Sequence, residues 1–165
     1  MKASETESRP GRQYSRQPVE RLFGDLTAAQ LHDILELRSR VFIVEQECVY
    51  HDIDGRDAEP LTKHVWIEHE GSIAAYLRVL DDGDGVFRIG RVVTSPEHRG
   101  HGLAATLMAY VITEQRGVIV LDAQAHLYDW YSRLGFTRSG ADFTEDGIAH
   151  VPMYLSRGLG SHPVE

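Results

Sequence analysis

The segment at residues 86–111 constrains the fold of this chain more than any other part of its sequence. Its first part, from Val86 to Thr94, is rich in β-branched residues and stops at a Ser-Pro pair, which predicts a strand. Its last part, from Leu103 onward, repeats apolar residues at helical spacing and predicts a helix. Two glycines lie between them. Such a turn aims free backbone N–H groups and the positive end of the helix dipole at one point, which favours the binding of a phosphate group.

The glycine-rich turn does not fit two common phosphate-binding patterns. The loop that binds nucleoside triphosphates requires a Lys directly after its last glycine, whereas Leu103 follows Gly102. The dinucleotide fingerprint requires three spaced glycines near the start of a βαβ unit, and this segment does not lie in one. Taken alone, the turn also allows a simpler interpretation, which is an ordinary connection from a strand to a helix.

The rest of the chain alternates strands and helices without an internal repeat or a linker. Thr27 and Gln30 have the spacing of a capping box and predict the start of a helix that continues to about Phe42. Polar turn residues separate the strands from one another. We predict an edge strand at residues 19–26, a hairpin at 63–69 and 73–80, a buried strand at 118–123, a short helix at 126–134, and a closing hairpin at 136–144 and 148–155.

Composition restricts the class of protein. The 165 residues suit one domain, and the net charge of −8 argues against a nucleic-acid surface, which is normally basic. The single cysteine, Cys48, fits a reducing compartment, and no apolar run approaches the length of a membrane span. We therefore expect a soluble, cytoplasmic protein that binds neither nucleic acid nor a membrane.

Three motifs, in the right order, resemble those of the GNAT superfamily of N-acetyltransferases. Arg99, Gly102 and Ala104 fit its acyl-CoA loop, [RQ]-x-x-G-x-[GA]. The string YSRLGF, which begins at Tyr131, fits the Y-x-x-x-G-F that ends its last helix. Gln124 lies seven residues earlier, where many members place an amide side chain for the cofactor. Longer strings, such as LRSRVFIVEQECVYHDIDGRD and LDAQAHLYDWY, resemble the ElaA-type branch of the superfamily.

This resemblance implies an α/β (α+β) fold. The expected architecture is a mixed, mostly antiparallel twisted sheet that is flanked by helices and splayed at the strands ending at Thr94 and Gln124. We expect the domain to cover residues 19–157, with disordered tails at residues 1–18 and 158–165. A monomer or a homodimer is compatible with this architecture.

The resemblance also implies an activity, the transfer of an acetyl group from acetyl-CoA to a primary amine of a small molecule or a peptide. The amine would attack directly in a ternary complex. The CoA pyrophosphate would lie on backbone N–H groups of the glycine-rich turn, pantetheine would lie between the splayed strands, and an N–H near Val93 would stabilise the oxyanion. The implied cofactor-binding residues are Val92, Val93, Thr94, Arg99, Gly100, His101, Gly102, Leu103, Ala104, Ala105 and Gln124.

Tyr131 is the candidate general acid, because a neutral phenol can protonate a departing thiolate at neutral pH; the alternative is a packing residue. The general base stays open among three residues, since Glu45 ends the helix beside the acceptor site and Glu145 and His150 lie in the closing hairpin. The candidate residues for binding the acceptor are Arg38, Phe42, Arg78 and Arg91.

The acidic loop at residues 52–57 offers these arginines another role. Its three Asp residues and Gly55 fail the spacing of a calcium loop, so we expect Asx-turn chemistry and no metal. Arg78 and Arg91 therefore either bind a carboxylate of the acceptor or pair with this loop. Arg38 either faces the core or covers apolar surface with its stem.

A different class of function is also compatible with this fold, a non-catalytic sensor or interaction module that binds acyl-CoA. Tyr131 and Gln124 favour the enzyme, because a binding module requires only the glycine-rich loop.

Overall fold

The computed structural model describes residues 14–15 and 17–157, which form one sheet with helices on both faces. In chain order the elements are β1 (Val19–Leu22), α1 (Ala28–Arg38), β2 (Lys63–His69), β3 (Ser72–Gly83), β4 (Val86–Thr94), α2 (Leu103–Glu114), β5 (Val118–Gln124), α3 (Tyr128–Arg133), β6 (Thr137–Arg138), β7 (Phe143–Glu145) and β8 (Ile148–Ser156). The strand order is β1-β2-β3-β4-β5-β8-β6, and β7 pairs with the first part of β8. These pairings are antiparallel, except for the parallel pair β4 and β5.

The first helix begins as the sequence predicts. The Gln30 N–H donates to Thr27 Oγ1 at 3.1 Å, and the Thr27 N–H donates to Gln30 Oε1 at 3.0 Å, which completes the predicted capping box. Beyond Arg38 the chain does not stay α-helical but continues as π-helical turns over Ser39–Glu45. Such turns are rare and occur often at functional sites.

The closing hairpin differs from its prediction. The strand predicted at residues 136–144 is instead two short strands, β6 and β7, which both pair with β8. Pro152 of β8 lies opposite the break and has no N–H to donate to a neighbouring strand. Its carbonyl still accepts a hydrogen bond from the Ser139 N–H at 2.9 Å. The ladder is therefore interrupted where one of its donors is missing.

The helices cover opposite faces of the sheet. The apolar stripe of α1 packs against Trp66 and Tyr76, whereas Leu107 and Val111 of α2 join Leu77 in the larger core cluster. Tyr76 and Leu77 are consecutive, so the alternation of side chains along β3 sends each to a different face. Within residues 14–15 and 17–157, no helix has the length and apolar composition needed to cross a membrane.

A buried ion network joins α1 and β3 to the acidic loop. Arg38 is fully buried, with Nε 2.9 Å from Asp52 Oδ2 and Nη1 2.7 Å from Asp57 Oδ1. Arg78 is nearly as buried and lies 2.8 Å from Asp54 Oδ2 and 3.0 Å from Asp57 Oδ1. The core-facing interpretation of Arg38 is thus confirmed. Each buried charge has an opposite charge within hydrogen-bonding distance, which its burial requires.

The charges of this network are mutually dependent. Burial alone lowers the pKa of Arg38 and raises the pKa of Asp57, because burial disfavours charge. Their hydrogen bond and the neighbouring charges outweigh burial, so the pKa of Arg38 is raised and that of Asp57 is lowered overall. The predicted Asx turn is present beside them, since the Arg56 N–H donates to Asp54 Oδ1 at 3.0 Å.

Two residues that the sequence assigned to a disordered tail contact the domain. The Tyr14 hydroxyl lies 3.2 Å from His98 Nδ1, and the Tyr14 ring packs against His69 and His101. The Ser15 N–H donates to the Glu68 carbonyl at 3.3 Å. Ordered contacts thus begin before the predicted boundary at residue 19. The predicted tails at residues 1–13, at residue 16 and at residues 158–165 lie outside the described residues.

We predict that Arg38→Met destabilises the protein by about 3 kcal/mol or more, because it removes the buried cation that Asp52 and Asp57 share and leaves each carboxylate with one opposite charge fewer. The matched control is Arg40→Met two residues further on, where the side chain is 40% exposed and pairs with Glu36 and Glu97. Exposed ion pairs contribute less than about 1 kcal/mol. Urea denaturation of both variants measures the difference. Equal stabilities would contradict the assigned importance of the buried network.

Candidate active site

The strands β4 and β5 pair along only part of their length. Their parallel register covers residues 86–88 of β4 and residues 118–120 of β5. Beyond these positions β4 continues to Thr94 and β5 to Gln124 without pairing to each other. The structure therefore confirms the predicted splay, and the facing edges of the two strands are separated by a gap.

A bulge in β4 lies beside this gap. Tyr76 of β3 pairs with Val93, and Arg78, two residues further along β3, pairs with Gly90, three residues earlier in β4. β4 thus contains one extra residue, and Arg91 within the bulge has a left-handed φ of +55°. A bulge of this kind bends the strand and changes the direction of its backbone groups.

A cleft of about 640 Å³ opens at the splay. Its walls come from the β4 bulge, the end of β5, α3, the turn between β7 and β8, and the segment that follows the π-helical turns. It brings together many of the site residues predicted from sequence, namely Phe42, Arg78, Arg91, Val92, Gln124, Tyr131, Glu145 and His150. The other predicted residues do not line it; these are Arg38, Glu45, Val93, Thr94 and the glycine-rich loop at residues 99–105.

The glycine-rich loop leaves the start of α2 open. Gly102 precedes the helix with a φ of +70°, and no side chain caps the N-terminus, unlike that of α1. The first helical N–H groups have no acceptor within the helix. A Cβ built at Gly102 would meet no heavy atom within 4 Å, so the space beside this residue at the start of the helix is open. The loop therefore fits an anion such as a pyrophosphate.

Side chains hold this loop in place. His101 Nδ1 lies 2.9 Å from the Arg99 carbonyl and 3.1 Å from the His98 carbonyl, so its N–H donates to both and the ring folds back onto the loop. The Arg99 guanidinium forms a 2.8 Å ion pair with Glu45. Glu45 therefore lies beside the glycine-rich loop and does not line the cleft, whereas the other two candidate bases, Glu145 and His150, do.

Tyr131 is the most buried of the candidate acid and base residues. Its side chain is 7% exposed, packs against the rings of Trp130 and Phe136, and still lines the cleft. Burial raises the pKa of its hydroxyl to about 12, since the apolar surroundings disfavour the phenolate. Tyr131 is therefore neutral at physiological pH and retains a proton to donate.

The closing hairpin aligns the two other candidate bases. Phe143 pairs with His150, and Glu145 pairs with Ile148. Because side chains alternate between the two faces of a strand, all four side chains lie on the same face of the hairpin. The register between β5 and β8 pairs Gln124 with His150. His150 Nδ1 lies 2.9 Å from the Ile148 carbonyl, which can only accept, so Nδ1 carries the proton and the neutral ring keeps Nε2 as an acceptor.

The arginines proposed to bind the acceptor are engaged by the acidic loop. Arg38 and Arg78 are buried in the network described above, and Arg91 lies 2.8 Å from Asp52 and 3.3 Å from Asp54. The pairing that the sequence left open is therefore the one present. Sequence reasoning missed how this loop reaches the β4 bulge, because no local pattern marks a bulge at Arg91.

Both the sequence and the fold of this chain are similar to those of known proteins. Residues 23–157 match the family model for the acetyltransferase (GNAT) domain. A UPF0039 protein of Mycobacterium tuberculosis is 42% identical over 141 residues, which are 82% of this chain and 90% of that protein. An acyl-CoA N-acyltransferase of Pseudomonas aeruginosa is similar in structure, with a TM-score of 0.78 and 37% identity over 85% of this chain and 99% of that one. ElaA of Escherichia coli has a TM-score of 0.77 and 33% identity over 84% and 97% of the two chains. The resemblance expected from the motifs is confirmed.

We predict that Gly102→Glu abolishes the binding of acetyl-CoA, because the new carboxylate and its bulk fill the empty space in front of the N-terminus of α2. The matched control is Gly83→Glu. Gly83 is the last residue of β3, has a similar φ of +82°, and has equally open surroundings. Both variants carry the same backbone strain and the same charge. Calorimetric titration with acetyl-CoA should show binding for the control alone, and unchanged affinity in a folded Gly102→Glu protein would rule out this loop as the phosphate site.

Proposed function

The chain belongs to the GNAT acetyltransferase family, and from this membership we propose that it is an N-acetyltransferase that moves the acetyl group of acetyl-CoA to a primary amine. The acceptor is a small molecule or a peptide. One observation carries the proposal: the gap between β4 and β5 opens into the same cleft as the buried, protonated Tyr131. A module that only binds acyl-CoA has no use for a proton donor at that position.

The donor fits the described backbone. The open N-terminus of α2 offers N–H groups to the pyrophosphate, and Gly102 has no side chain to exclude it. The unpaired edges of β4 and β5 offer hydrogen-bonding groups to an extended chain such as pantetheine, as a sheet edge does to an added strand. These contacts come mainly from the backbone, so bulk is the side-chain property that matters there.

The transfer is balanced in protons and electrons. The lone pair of the neutral amine forms the new N–C bond, and the π electrons of the thioester carbonyl move onto its oxygen. When the carbonyl re-forms, the C–S bond breaks and the thiolate takes the proton of Tyr131. The nitrogen loses a proton to a base, and this proton returns through solvent to the phenolate of Tyr131. A backbone N–H beside the oxygen stabilises the transient negative charge.

His150 is the base that we propose. An alkylammonium has a pKa near 10.4, so a group in the cleft has to accept a proton before or during attack. His150 offers Nε2 as an acceptor, lines the cleft, and is held against Phe143 with the two rings 5.5 Å apart. Glu145 lies on the same face of the hairpin at its exposed end, which suits attraction of a cationic acceptor.

The central prediction concerns Tyr131→Phe, which keeps the ring and its packing but removes the proton. General acid catalysis is typically worth ~10²–10⁴ in rate, so kcat should fall by at least about tenfold while the affinity for acetyl-CoA stays within about twofold. Tyr128→Phe is the matched control, since Tyr128 lies on the same helix and does not line the cleft. Thiol release from acetyl-CoA with a panel of amines measures kcat. Binding of acetyl-CoA without turnover of any amine by the wild type would instead support the sensor.

A second prediction separates the two residues of the closing hairpin. His150→Gln should lower kcat by about tenfold or more, because the amide cannot accept a proton at neutral pH. Glu145→Gln should mainly raise the KM for a cationic amine and leave kcat within a few-fold. Steady-state kinetics with the best amine of the panel distinguishes them. The opposite pattern would transfer the role of base to Glu145.

A further inference from the structure

The conformation of the β4 bulge requires an explanation, because Arg91 adopts a φ of +55° without being a glycine. Residues with a Cβ rarely adopt this region, and it persists only where surrounding contacts hold it. Such strain is concentrated at functional sites. The contacts of the Arg91 side chain therefore show what keeps the backbone in this position.

Those contacts all lead to one loop. Arg91 Nε lies 2.8 Å from Asp52 Oδ1, and Nη2 lies 3.1 Å from the Asp52 carbonyl and 3.3 Å from Asp54 Oδ2. The guanidinium also stacks over the Tyr50 ring, 5.2 Å from its centroid. The Arg91 side chain thus spans from the bulge to the acidic loop, where Nε and Nη2 each lie near a carboxylate.

The loop is itself fixed to the core. Buried Arg38 donates from Nη2 to the Asp52 carbonyl at 2.7 Å and from Nε to Asp52 Oδ2 at 2.9 Å. The Tyr50 hydroxyl donates to Asp52 Oδ1 at 3.0 Å. Asp52 is 8% exposed and makes contacts with three side chains. Asp52 is therefore held in place by Arg38 and Tyr50, and it gives Arg91 a fixed partner.

The bulge lies where an oxyanion would form under the proposed function. Gly90, Arg91 and Val92 line the cleft, and Val92 has no partner on β3, because the register passes from Gly90 to Val93. Past residue 88, β4 also has no partner on β5. Under that function, a backbone N–H at the end of the bulge, at Val92 or Val93, is the donor that we assign to the thioester carbonyl.

We propose that Arg91 is a positioning residue of the acetyl transfer. Its ion pairs with Asp52 and Asp54 hold the strained bulge in its conformation. The bulge in turn directs the N–H of Val92 or Val93 toward the thioester oxygen. This inference rests on the proposed function. It assigns to Arg91 a role different from binding a carboxylate of the acceptor, since its guanidinium is already engaged by two carboxylates of the chain itself.

The two roles of Arg91 predict different kinetics. Arg91→Lys keeps the charge but cannot contact both carboxylates in the same forked geometry. Arg91→Gly removes the ion pairs with Asp52 and Asp54, and glycine tolerates the left-handed φ. Loss of one oxyanion donor costs ~10²–10³ in kcat, so a displaced donor should lower kcat by about tenfold or more in both variants. The KM for the amine and the Kd for acetyl-CoA should stay within about twofold. Arg56→Lys is the matched control, because Arg56 pairs with Glu59 and Asp82 and does not line the cleft.

A measurement without an amine tests the geometry independently of turnover. Backbone amide NMR of the wild type should show a shift at Val92 or Val93 between its complexes with CoA and with acetyl-CoA, because only the second has a carbonyl to accept the hydrogen bond. Both Arg91 variants should lose this difference while still binding CoA, and the Arg56→Lys control should retain it. Thermal melts identify any variant that is unfolded, and the wild-type measurement stands without the variants.

The outcomes separate this inference from the proposed function. A wild type that shows the amide shift but acetylates no amine would overturn the proposed function and leave the positioning of the bulge supported. A wild type without the shift, or Arg91 variants that retain it with normal kcat, would overturn the role of Arg91. A higher KM for the amine at normal kcat would likewise overturn it and assign Arg91 to the acceptor.

Discussion

The separation of β4 from β5 is the constraint on which the rest of the site depends. Each of the two strands is hydrogen-bonded along its other edge. β5 pairs with β8 over its whole length, and β4 pairs with β3. The bulge at Arg91 bends β4, and the two strands can share hydrogen bonds only at residues 86–88 and 118–120. The unpaired edges that result cannot close on each other. They remain available to an extended ligand, which a continuous sheet would not allow.

A buried ion network gives this opening a fixed shape. Arg38 on α1 and Arg78 on β3 hold the acidic loop against the sheet, and Asp52 in turn holds Arg91 of the bulge. Buried ion pairs contribute little net stability compared with apolar packing, because both charges lose their hydration. Their geometric specificity is the property that an active site uses. In this protein the network connects a helix, a loop and two strands around one cleft.

Much of the fold could be predicted because it rests on local signals. The capping box of α1, the hairpin at residues 63–83 and the glycine-rich start of α2 each depend on residues close together in the sequence. The split of the closing strand could not be predicted, since it depends on Pro152 lying opposite residues that precede it by more than ten positions. The sequence predicted Glu45 to lie near the acceptor, because it ends the first helix. In the structure its carboxylate pairs with Arg99 of the glycine-rich loop.

The sequence by itself determined the identities of the chemical groups: a glycine-rich helix start, a tyrosine ahead of a Gly-Phe turn, and three aspartates in one loop. Only the tertiary structure decided what those groups face. Whether Arg78 and Arg91 meet a substrate or the acidic loop depends on contacts between residues more than 20 positions apart. The same holds for Tyr131, whose pKa of about 12 comes from burial. Burial and charge pairing are properties of the packed chain, because low dielectric and distance arise only when distant segments come together.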